Sequence, residues 1–474
     1  MPPKKVKDAS STKSSEFGSS TTNLEFSPIV VKIPNTNSVL QHSAQLVNHS
    51  RSIDYPSFKL GFHHFIHKAR NSMDIVKQFE GKKQVYRVMS NFERYVDEYD
   101  DDINNACVKY FDLNNRPKIL SRGFFKLWEI LMAYNIVPTD TSDFVSASLA
   151  ESPGSFLQAI IFYRDLYAGS KAKKDKYHAI SLHPEDEYGH VPKLDNEFIK
   201  FYDKESPKRF IEHKTYPKQI AGGFDDKHDG DITNPKTLNL FGGQMNEKAD
   251  FITADGGLNW NNENTQEQEA FKLIYAQIVG AIKLQKKGGS FVCKFFETFT
   301  MLSMKFISIL NIFYKDVIMI KPLMSRKSNS EKYFVCKGFI FDDKNKEYKK
   351  MLSYLEDVMK QNHETKLNMI DIFPNFIVEQ NIIDTMTYAN TVIANEQLVS
   401  INQIIKFIEA HDYYGDMYLM KRQTQINASQ FWIKHFLPDK KNIKKNMNFL
   451  EDVNKNISDD SDKNIDKLSS KLLK

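Results

Sequence analysis

An aspartate and a lysine each stand at the end of a short apolar segment in the middle of the chain. The segment 250–254 is followed by Asp255 and two glycines, and the apolar residues 291–293 are followed by Lys294. A lysine partly removed from water beside a carboxylate can move a proton or stabilise an oxyanion. A lysine at a strand end can also simply extend its ammonium group into water. Both features on neighbouring strands favour a catalytic interpretation.

Glu151, Pro153 and Gly154 form a second candidate site, because they separate one apolar segment from the run 157–163. An acidic residue, a Pro-Gly turn and then a helix are typical of a connection that holds a cofactor. Gly154 allows the backbone to approach a ligand closely, and Glu151 can accept hydrogen bonds from a cationic group. The absence of a GxGxxG pattern argues against a dinucleotide. Taken alone, the segment favours an ordinary turn with an exposed glutamate.

Basic and hydroxyl-bearing residues between positions 322 and 333 suit phosphate contacts, and Glu331 within them could orient a catalytic lysine. A charged hairpin turn is the alternative. The segment 122–128 could grip RNA through its aromatic and basic residues, but its spacing favours an amphipathic helix with Phe and Trp in the core. We interpret Lys171–Lys176 as an exposed basic segment that adds to an electropositive rim.

Histidines and cysteines receive ordinary interpretations. His63 and His67 have the i, i+4 spacing of one helix face, with His64 beside them, but no cysteine or carboxylate partner is evident, so we predict a helix surface and no metal site. Cys293 and Cys336 lie inside apolar strands and are expected to be small buried residues.

The hydrophobic pattern predicts the elements that position these residues. Short apolar runs alternate with helical segments over residues 115–345, which predicts a mostly parallel sheet covered by helices on both faces. Helical spacing dominates on either side, for example over 85–96. We therefore divide the chain into a disordered tail (1–24), a helical N-terminal region (25–114), an α/β domain (115–345), a helical C-terminal region (346–438) and a charged, loosely ordered tail (439–474).

Composition limits the class of protein. The chain has 474 residues, 41% of them hydrophobic, and 65 basic against 60 acidic side chains give a formal net charge of +5. This near balance neither requires nor forbids a polyanionic partner. No run of 18 apolar residues is present, which excludes a membrane span, and three cysteines cannot form a disulfide framework. We expect a protein of a reducing, intracellular compartment that has no membrane partner.

Together these segments resemble the FtsJ-type 2′-O-ribose methyltransferases, most closely the cap-specific branch, over residues 115–345. Residues 149–156 match the family's cofactor loop, with Ser155 where a glycine is frequent, and Gly230–Thr233 match the segment at the adenosine end of the cofactor. The strand ending in Asp255, the segment 288–294 and the segment 325–338 match the remaining motifs. The resemblance implies a Rossmann-like methyltransferase sheet whose last strand is antiparallel.

The resemblance also implies S-adenosyl-L-methionine as cofactor and a Lys-Asp-Lys-Glu tetrad, which maps onto Lys126, Asp255, Lys294 and Glu331. In this mapping Lys294, held near neutral by desolvation and by Lys126, takes the proton of the 2′-hydroxyl, or Lys126 stabilises the alkoxide. Two further groups of residues follow from the motifs. The cofactor contacts are Glu151, Ser152, Pro153, Gly154, Ser155, Phe156, Asp231, Ile232 and Asp255, and the RNA contacts are Arg122, Ser325, Arg326 and Ser330.

The function implied is methylation of the first transcribed nucleotides of capped mRNA. The alternatives are the same chemistry on ribosomal or transfer RNA, and a catalytically silent RNA-binding or scaffold subunit of a capping complex. The partners implied are RNA and, through the helical flanks, other capping or transcription proteins. The composition also fits a member from a large DNA virus, which would place the protein in host cytoplasm or the virion, with the nucleus as another option.

Overall fold

The computed structural model describes residues 26–41, 45–53, 60–93, 102–182, 194–205, 209–213, 230–257 and 262–439. The predicted tail 1–24 lies outside these ranges, as does the predicted tail 439–474 except for its first residue. Among the described residues, no helix is both long and apolar enough to cross a membrane.

An eight-stranded sheet forms the centre, with strands numbered in chain order together with those of a smaller sheet. The large sheet contains β1 (Ile29–Lys32), β3 (Val145–Leu149), β4 (Lys176–Ile180), β5 (Phe210–Glu212), β6 (Ala249–Ala254), β7 (Gln285–Phe295), β8 (Tyr314–Lys321) and β9 (Lys332–Phe339). Their spatial order is β1-β8-β9-β7-β6-β3-β4-β5. A second, two-stranded sheet pairs β2 (Val47–Ser50) with β10 (Asn368–Ile372).

The five neighbouring strands β7, β6, β3, β4 and β5 run parallel, whereas β9 is antiparallel to both β7 and β8. The predicted mostly parallel sheet with an antiparallel last strand is therefore confirmed. Parallel strands end at the same edge of a sheet, and ligands bind beyond that edge in such folds. The antiparallel β9 begins at this edge, so its register with β7 places Tyr333 opposite Lys294.

Helices cover both faces of the sheet. They are α1 (Leu60–Ser72), α2 (Asp102–Phe111), α3 (Arg122–Tyr134), α4 (Ser155–Tyr167), α5 (Asn196–Glu205), α6 (Pro235–Met245), α7 (Gln266–Leu284), α8 (Met301–Phe313), α9 (Lys346–His363), α10 (Gln380–Ala410) and α11 (Asp416–Phe436). Alternate strand residues belong to two separate cores: Phe251 and Val292 pack with α3, α4 and α11, whereas Ile252 and Cys293 pack with α7 and α8. This alternation follows from the two-residue period of a strand.

The flanks contain strands that helical spacing did not predict. β1 pairs antiparallel with β8 at the edge of the large sheet, and β2 joins β10 across more than 300 positions of sequence. Strands of four or five residues are too short to show a clear period, and their partners are distant in sequence. The predicted helix over 85–96 appears as a 3₁₀ helix at Val85–Met89, and residues 94–96 lie outside the described part.

Candidate active site

Lys294 and Asp255 form an ion pair where β7 and β6 end side by side. The Lys294 Nζ lies 3.1 Å from the Asp255 Oδ1 and also donates a hydrogen bond to the backbone carbonyl of Asp255 at 2.8 Å. The Tyr333 hydroxyl donates to the same Oδ1 at 3.0 Å. Because the backbone carbonyl and the tyrosine both come from neighbouring strands, the sheet itself fixes the position of this pair.

Lys126 and Glu331 form a second ion pair, with 2.7 Å between the Lys126 Nζ and the Glu331 Oε1. Lys126 lies in α3. The helix is capped by Ser121, whose side chain accepts a hydrogen bond from the Gly123 N–H. Glu331 directly precedes β9, and its Oε1 also accepts from the Ser325 hydroxyl at 3.0 Å. The structure thus places Lys126, Asp255, Lys294 and Glu331 at one edge of the sheet.

The electrostatics of Lys294 differ from the expectation. Burial acts to lower the pKa of its ammonium group, but the carboxylates of Asp255 and Glu331 outweigh burial and raise the pKa above its ordinary value. The expectation of a lysine held near neutral is therefore wrong. Burial likewise acts to raise the pKa of Glu331, yet Lys126 and Lys294 hold it at about 2. Lys294 and Glu331 are thus charged at neutral pH.

Glu151 is buried below the start of α4, so the alternative of an exposed glutamate in an ordinary turn is wrong. Its Oε1 accepts hydrogen bonds from the N–H groups of Phe156 and Leu157, at 2.9 and 3.2 Å. Its Oε2 is buried with no hydrogen-bond partner among the described residues. Burial, with the nearby Asp255 adding to it, raises the pKa of Glu151 to about 8. The carboxyl group therefore has one oxygen available for a ligand.

The other residues of the predicted cofactor loop lie either beside the end of β4 or at the start of α4. The hydroxyl groups of Ser152 and Ser181 are hydrogen-bonded to each other, which joins the ends of β3 and β4. The left-handed Gly154 (φ 111°) precedes α4. Phe156 and Ser155 are buried, with the Ser155 hydroxyl 2.7 Å from that of Ser121. Pro153 lies between Ser152 and Gly154, and its backbone carbonyl accepts a hydrogen bond from the Asp195 N–H.

The segment at the predicted adenosine end lies next to the same edge. Gly230 has φ 71°, and a Cβ there would lie 1.8 Å from the Ser181 carbonyl oxygen, so only glycine allows this contact. The Asp231 Oδ1 accepts from the N–H and the hydroxyl of Thr233, at 2.9 and 2.7 Å. The Ile232 side chain is buried in the core.

Arg122 and Arg326, two predicted RNA contacts, both bind the buried Glu93. The Arg326 guanidinium makes two bonds to it, at 2.7 and 3.0 Å, and Arg122 approaches it to 2.9 Å. Ser325 binds Glu331, and the Ser330 hydroxyl is buried without a hydrogen-bond partner in the described part of the chain. RNA binding by either arginine would therefore compete with Glu93 for the guanidinium group.

Four further interpretations have different outcomes. Phe124, Phe125 and Trp128 are fully buried, which confirms the amphipathic helix, and Cys293 and Cys336 are buried as expected. The Lys171–Lys176 segment precedes and begins β4, at the sheet edge opposite Lys294, so its place in a basic rim beside the site is wrong. The helix-surface interpretation is also wrong for His63, which is buried.

Sequence reasoning missed two buried residues that support the site. Lys321 is the last residue of β8. Its ammonium group donates hydrogen bonds to the backbone carbonyls of Asn329 and Glu331, at 2.9 and 2.8 Å. Burial lowers the pKa of Lys321 to about 7. Glu129 accepts the N–H groups of Leu323 and Met324 and the indole N–H of Trp432 in α11. Lys321 follows an apolar strand just as Lys294 does, so the same signal identifies it.

Comparison with known proteins gives one family. Residues 119–339 match the family described as FtsJ-like methyltransferase. Cap-specific mRNA (nucleoside-2′-O-)-methyltransferase 1 of Mus musculus is 31% identical over 202 residues, which are 41% of this chain and 24% of that protein. The Danio rerio protein of the same name is 30% identical over 232 residues, 47% of this chain and 26% of that protein. The chain therefore matches about a quarter of the length of these relatives.

Solved structures match this chain at lower sequence identity. The Methanococcus jannaschii fibrillarin pre-rRNA processing protein has a TM-score of 0.26 and 17% identity, covering 45% of this chain and 75% of its own. Human methyltransferase-like protein 13, in complex with SAH, has a TM-score of 0.27 and 10% identity. The match covers 50% of this chain and 91% of the human protein's chain.

Proposed function

We propose, because the chain contains an FtsJ-like methyltransferase domain at residues 119–339, that it transfers a methyl group from S-adenosylmethionine to a ribose 2′-hydroxyl of RNA. The family consists of S-adenosylmethionine-dependent enzymes. The observation that carries the proposal is the meeting of Lys126, Asp255, Lys294 and Glu331 at the carboxyl edge of the parallel strands. A hydroxyl is a weak nucleophile until it loses its proton, and this edge offers a lysine and two carboxylates for that task.

The residues around the strand ends fit a cationic cofactor. S-adenosylmethionine carries a sulfonium and an ammonium charge, and a cation beside Glu151 would lower its raised pKa and ionise it. The Oε2 of Glu151 is a buried oxygen without a donor in the described structure. Such an atom is costly unless a ligand supplies the hydrogen bond. Asp255 lies near Glu151, and Asp231 adds a further carboxylate beside the end of β4. We assign Glu151, Asp231 and Asp255 to cofactor binding, with the close contact of Gly230 and the Ser181 carbonyl placing Asp231 beside the end of β4.

When bound, the cofactor supplies an activated methyl group and leaves as the neutral thioether. The protein residues hold the ribose hydroxyl in line with that group and receive its proton. The Lys294 Nζ, fixed by the side chain and backbone carbonyl of Asp255, takes the proton once it has lost its own. Lys126, fixed by Glu331, stands opposite as a cation that stabilises the developing alkoxide. Glu331 and Asp255 thus position the two lysines.

We infer that the RNA is the 5′ end of capped mRNA. The relatives from mouse and zebrafish carry cap-specific names, and their identity to this chain of 30% or more supports that substrate class. The helical flanks cover both faces of the domain: α11 packs against α3, where the Trp432 indole binds Glu129, whereas α9 and α10 pack on the opposite face, with α7 and α8. We propose these flanks as the surfaces that contact RNA or other capping proteins.

Methyl transfer to short RNAs tests this function. The purified chain is given cofactor with a labelled methyl group and either capped or uncapped RNA of the same sequence. The proposal predicts label in the capped RNA and at least tenfold less in the uncapped RNA. Lys294→Ala should lower the rate at least 100-fold, which is the size typical of a general base. The exposed Lys287→Ala, near the other end of β7, is the matched control and should retain wild-type activity.

Other outcomes point to the alternatives. Equal methylation of capped and uncapped RNA would be consistent with ribose methylation but would contradict cap specificity. It would favour ribosomal or transfer RNA as the substrate. Cofactor binding without transfer to any RNA, or no cofactor binding at all, would favour a silent RNA-binding or scaffold subunit. A Lys294→Ala variant within a few-fold of wild type would show that another group takes the proton.

A further inference from the structure

A cluster of His63, His67 and Glu297 lies outside the active site and has no part in the proposed reaction. The two histidines are one helical turn apart in α1, with ring centroids 3.6 Å apart, and Glu297 follows β7. One potential ligand atom from each residue lies within 4.8 Å of the other two. In the sequence, Glu297 is 230 positions from the nearer histidine, so only the fold reveals this histidine cluster.

The atoms that face one another in the histidine cluster lack partners. The His67 Nε2 and the Glu297 Oε2 are buried and make no hydrogen bond in the described part of the chain. The His63 Nε2 is 3.9 Å from the Glu297 Oε2, too far for a hydrogen bond. Glu297 is only 2% exposed. A buried carboxylate oxygen without a donor is costly, which indicates that a ligand belongs between these three side chains.

The charges around the histidine cluster are balanced. Arg70 is hydrogen-bonded to the other oxygen of Glu297, and Lys332 and Glu267 also act on the Glu297 carboxyl group. Two cations thus face two acids. A neutral imidazole keeps a lone pair for a metal ion.

The donor set selects the ion. Two imidazole nitrogens and one carboxylate oxygen suit Zn²⁺, whereas Mg²⁺ and Ca²⁺ require mainly oxygen ligands. With bonds of about 2.1 Å, tetrahedral Zn²⁺ brings its ligand atoms to about 3.4 Å of one another, so the cluster would need to contract by about 1.4 Å. Side-chain rotation provides movement on this scale.

We propose that His63, His67 and Glu297 bind one Zn²⁺ ion, with a water molecule as fourth ligand. The ion links α1 to the segment that follows Lys294 by three residues. It also stabilises the start of β9, because Lys332, the neighbour of Glu331, donates a hydrogen bond to the carbonyl of Phe296 beside Glu297. The ion ties the N-terminal region to the strand ends that carry the active site.

Zinc binding by the full chain tests the proposal without any activity assay. The protein is stripped with a chelator and dialysed against ZnCl₂, and bound metal is measured by mass spectrometry. Affinity is measured by competition with a chromogenic chelator. Wild type should retain one Zn²⁺ per chain and bind no Mg²⁺ at this site. Zn²⁺ at 100 times its Kd should raise the ratio of folded to unfolded protein about 100-fold, seen as a higher melting temperature.

Variants locate the ion. The exposed His64→Ala, on the same helix, is the matched control and should bind zinc as wild type does. The double variant His63→Ala/His67→Ala and the single variant Glu297→Gln should each weaken binding at least tenfold. Circular dichroism confirms their fold, and His67→Ala, at the more exposed histidine, replaces the double variant if the latter does not fold. Either of two results overturns the proposal: wild type without stoichiometric zinc, which would leave a proton between His63 and Glu297, or unchanged binding by these variants.

Discussion

Removing the charge of Asp255 should shift the pH dependence of methyl transfer in a direction that the structure fixes. Asp255→Asn keeps the backbone carbonyl that holds the Lys294 Nζ at 2.8 Å, and it keeps an oxygen that can accept the Tyr333 hydroxyl. The variant therefore preserves the position of Lys294 while removing one of the two carboxylates that raise its pKa.

The size of the shift follows from the ion-pair distance. At 3.1 Å and an effective dielectric constant of about 20, the Coulomb energy is about 5 kcal/mol, or about 4 pKa units, as an upper limit. Asp255 is partly exposed to water, so we expect the smaller shift of about 1–3 units typical of a neighbouring opposite charge. In wild type the deprotonated lysine is the reactive form, and its raised pKa means that the rate increases with pH throughout the neutral range.

The assay is kcat/KM for RNA, which reports the pKa values of the free enzyme, measured from pH 6 to pH 10.5. Asp255→Asn should move the rising limb of the curve of kcat/KM against pH to lower pH by about 1–3 units, whatever the effect of the substitution on the maximal rate. Tyr333→Phe is the control, because it removes a hydrogen bond to Asp255 without removing charge, and should move the limb by less than about 0.5 unit. A limb that stays in place in Asp255→Asn, or moves to higher pH, would refute Lys294 as the titrating base.

Three further variants test the supports of the site. Glu129→Ala leaves the N–H groups of Leu323 and Met324 and the Trp432 indole without their acceptor, and should lower the free energy of unfolding by about 2–4 kcal/mol in urea titrations, with Glu129→Gln losing less. Gly230→Ala places a Cβ against the Ser181 carbonyl and should weaken cofactor binding about tenfold or more by calorimetry, whereas Gly243→Ala, where a Cβ meets no atom, should not. Lys321→Met frees the loop before Glu331 and should lower kcat about tenfold while cofactor affinity is retained. Unchanged values in any of these three would show that the corresponding contact does not support the site.

The sequence predicted most of the sheet because its strands are local apolar runs with clear ends. Asp255 and Lys294 were identifiable for the same reason, since each follows such a run. The charge state of Lys294 was not predictable, because it depends on a balance between burial and two carboxylates from other strands. The contacts of Glu129 and Glu297 could not be predicted, because their partners are far away in sequence and no spacing rule connects them. β1 and β2 were not predicted, because strands of four residues are too short to show a clear alternation of apolar and polar residues.

The central claim is that the assembled lysines and acids methylate a ribose 2′-hydroxyl, and the position of the transferred methyl group tests it most directly. Capped RNA methylated by wild type is digested to nucleosides, and the labelled product is identified by mass spectrometry against 2′-O-methyl and base-methyl standards. The account predicts the label on the ribose 2′-oxygen of a nucleotide next to the cap, and its loss with Lys294→Ala. A methyl group on a base, or a ribose methyl that persists in Lys294→Ala at the wild-type rate, would contradict it.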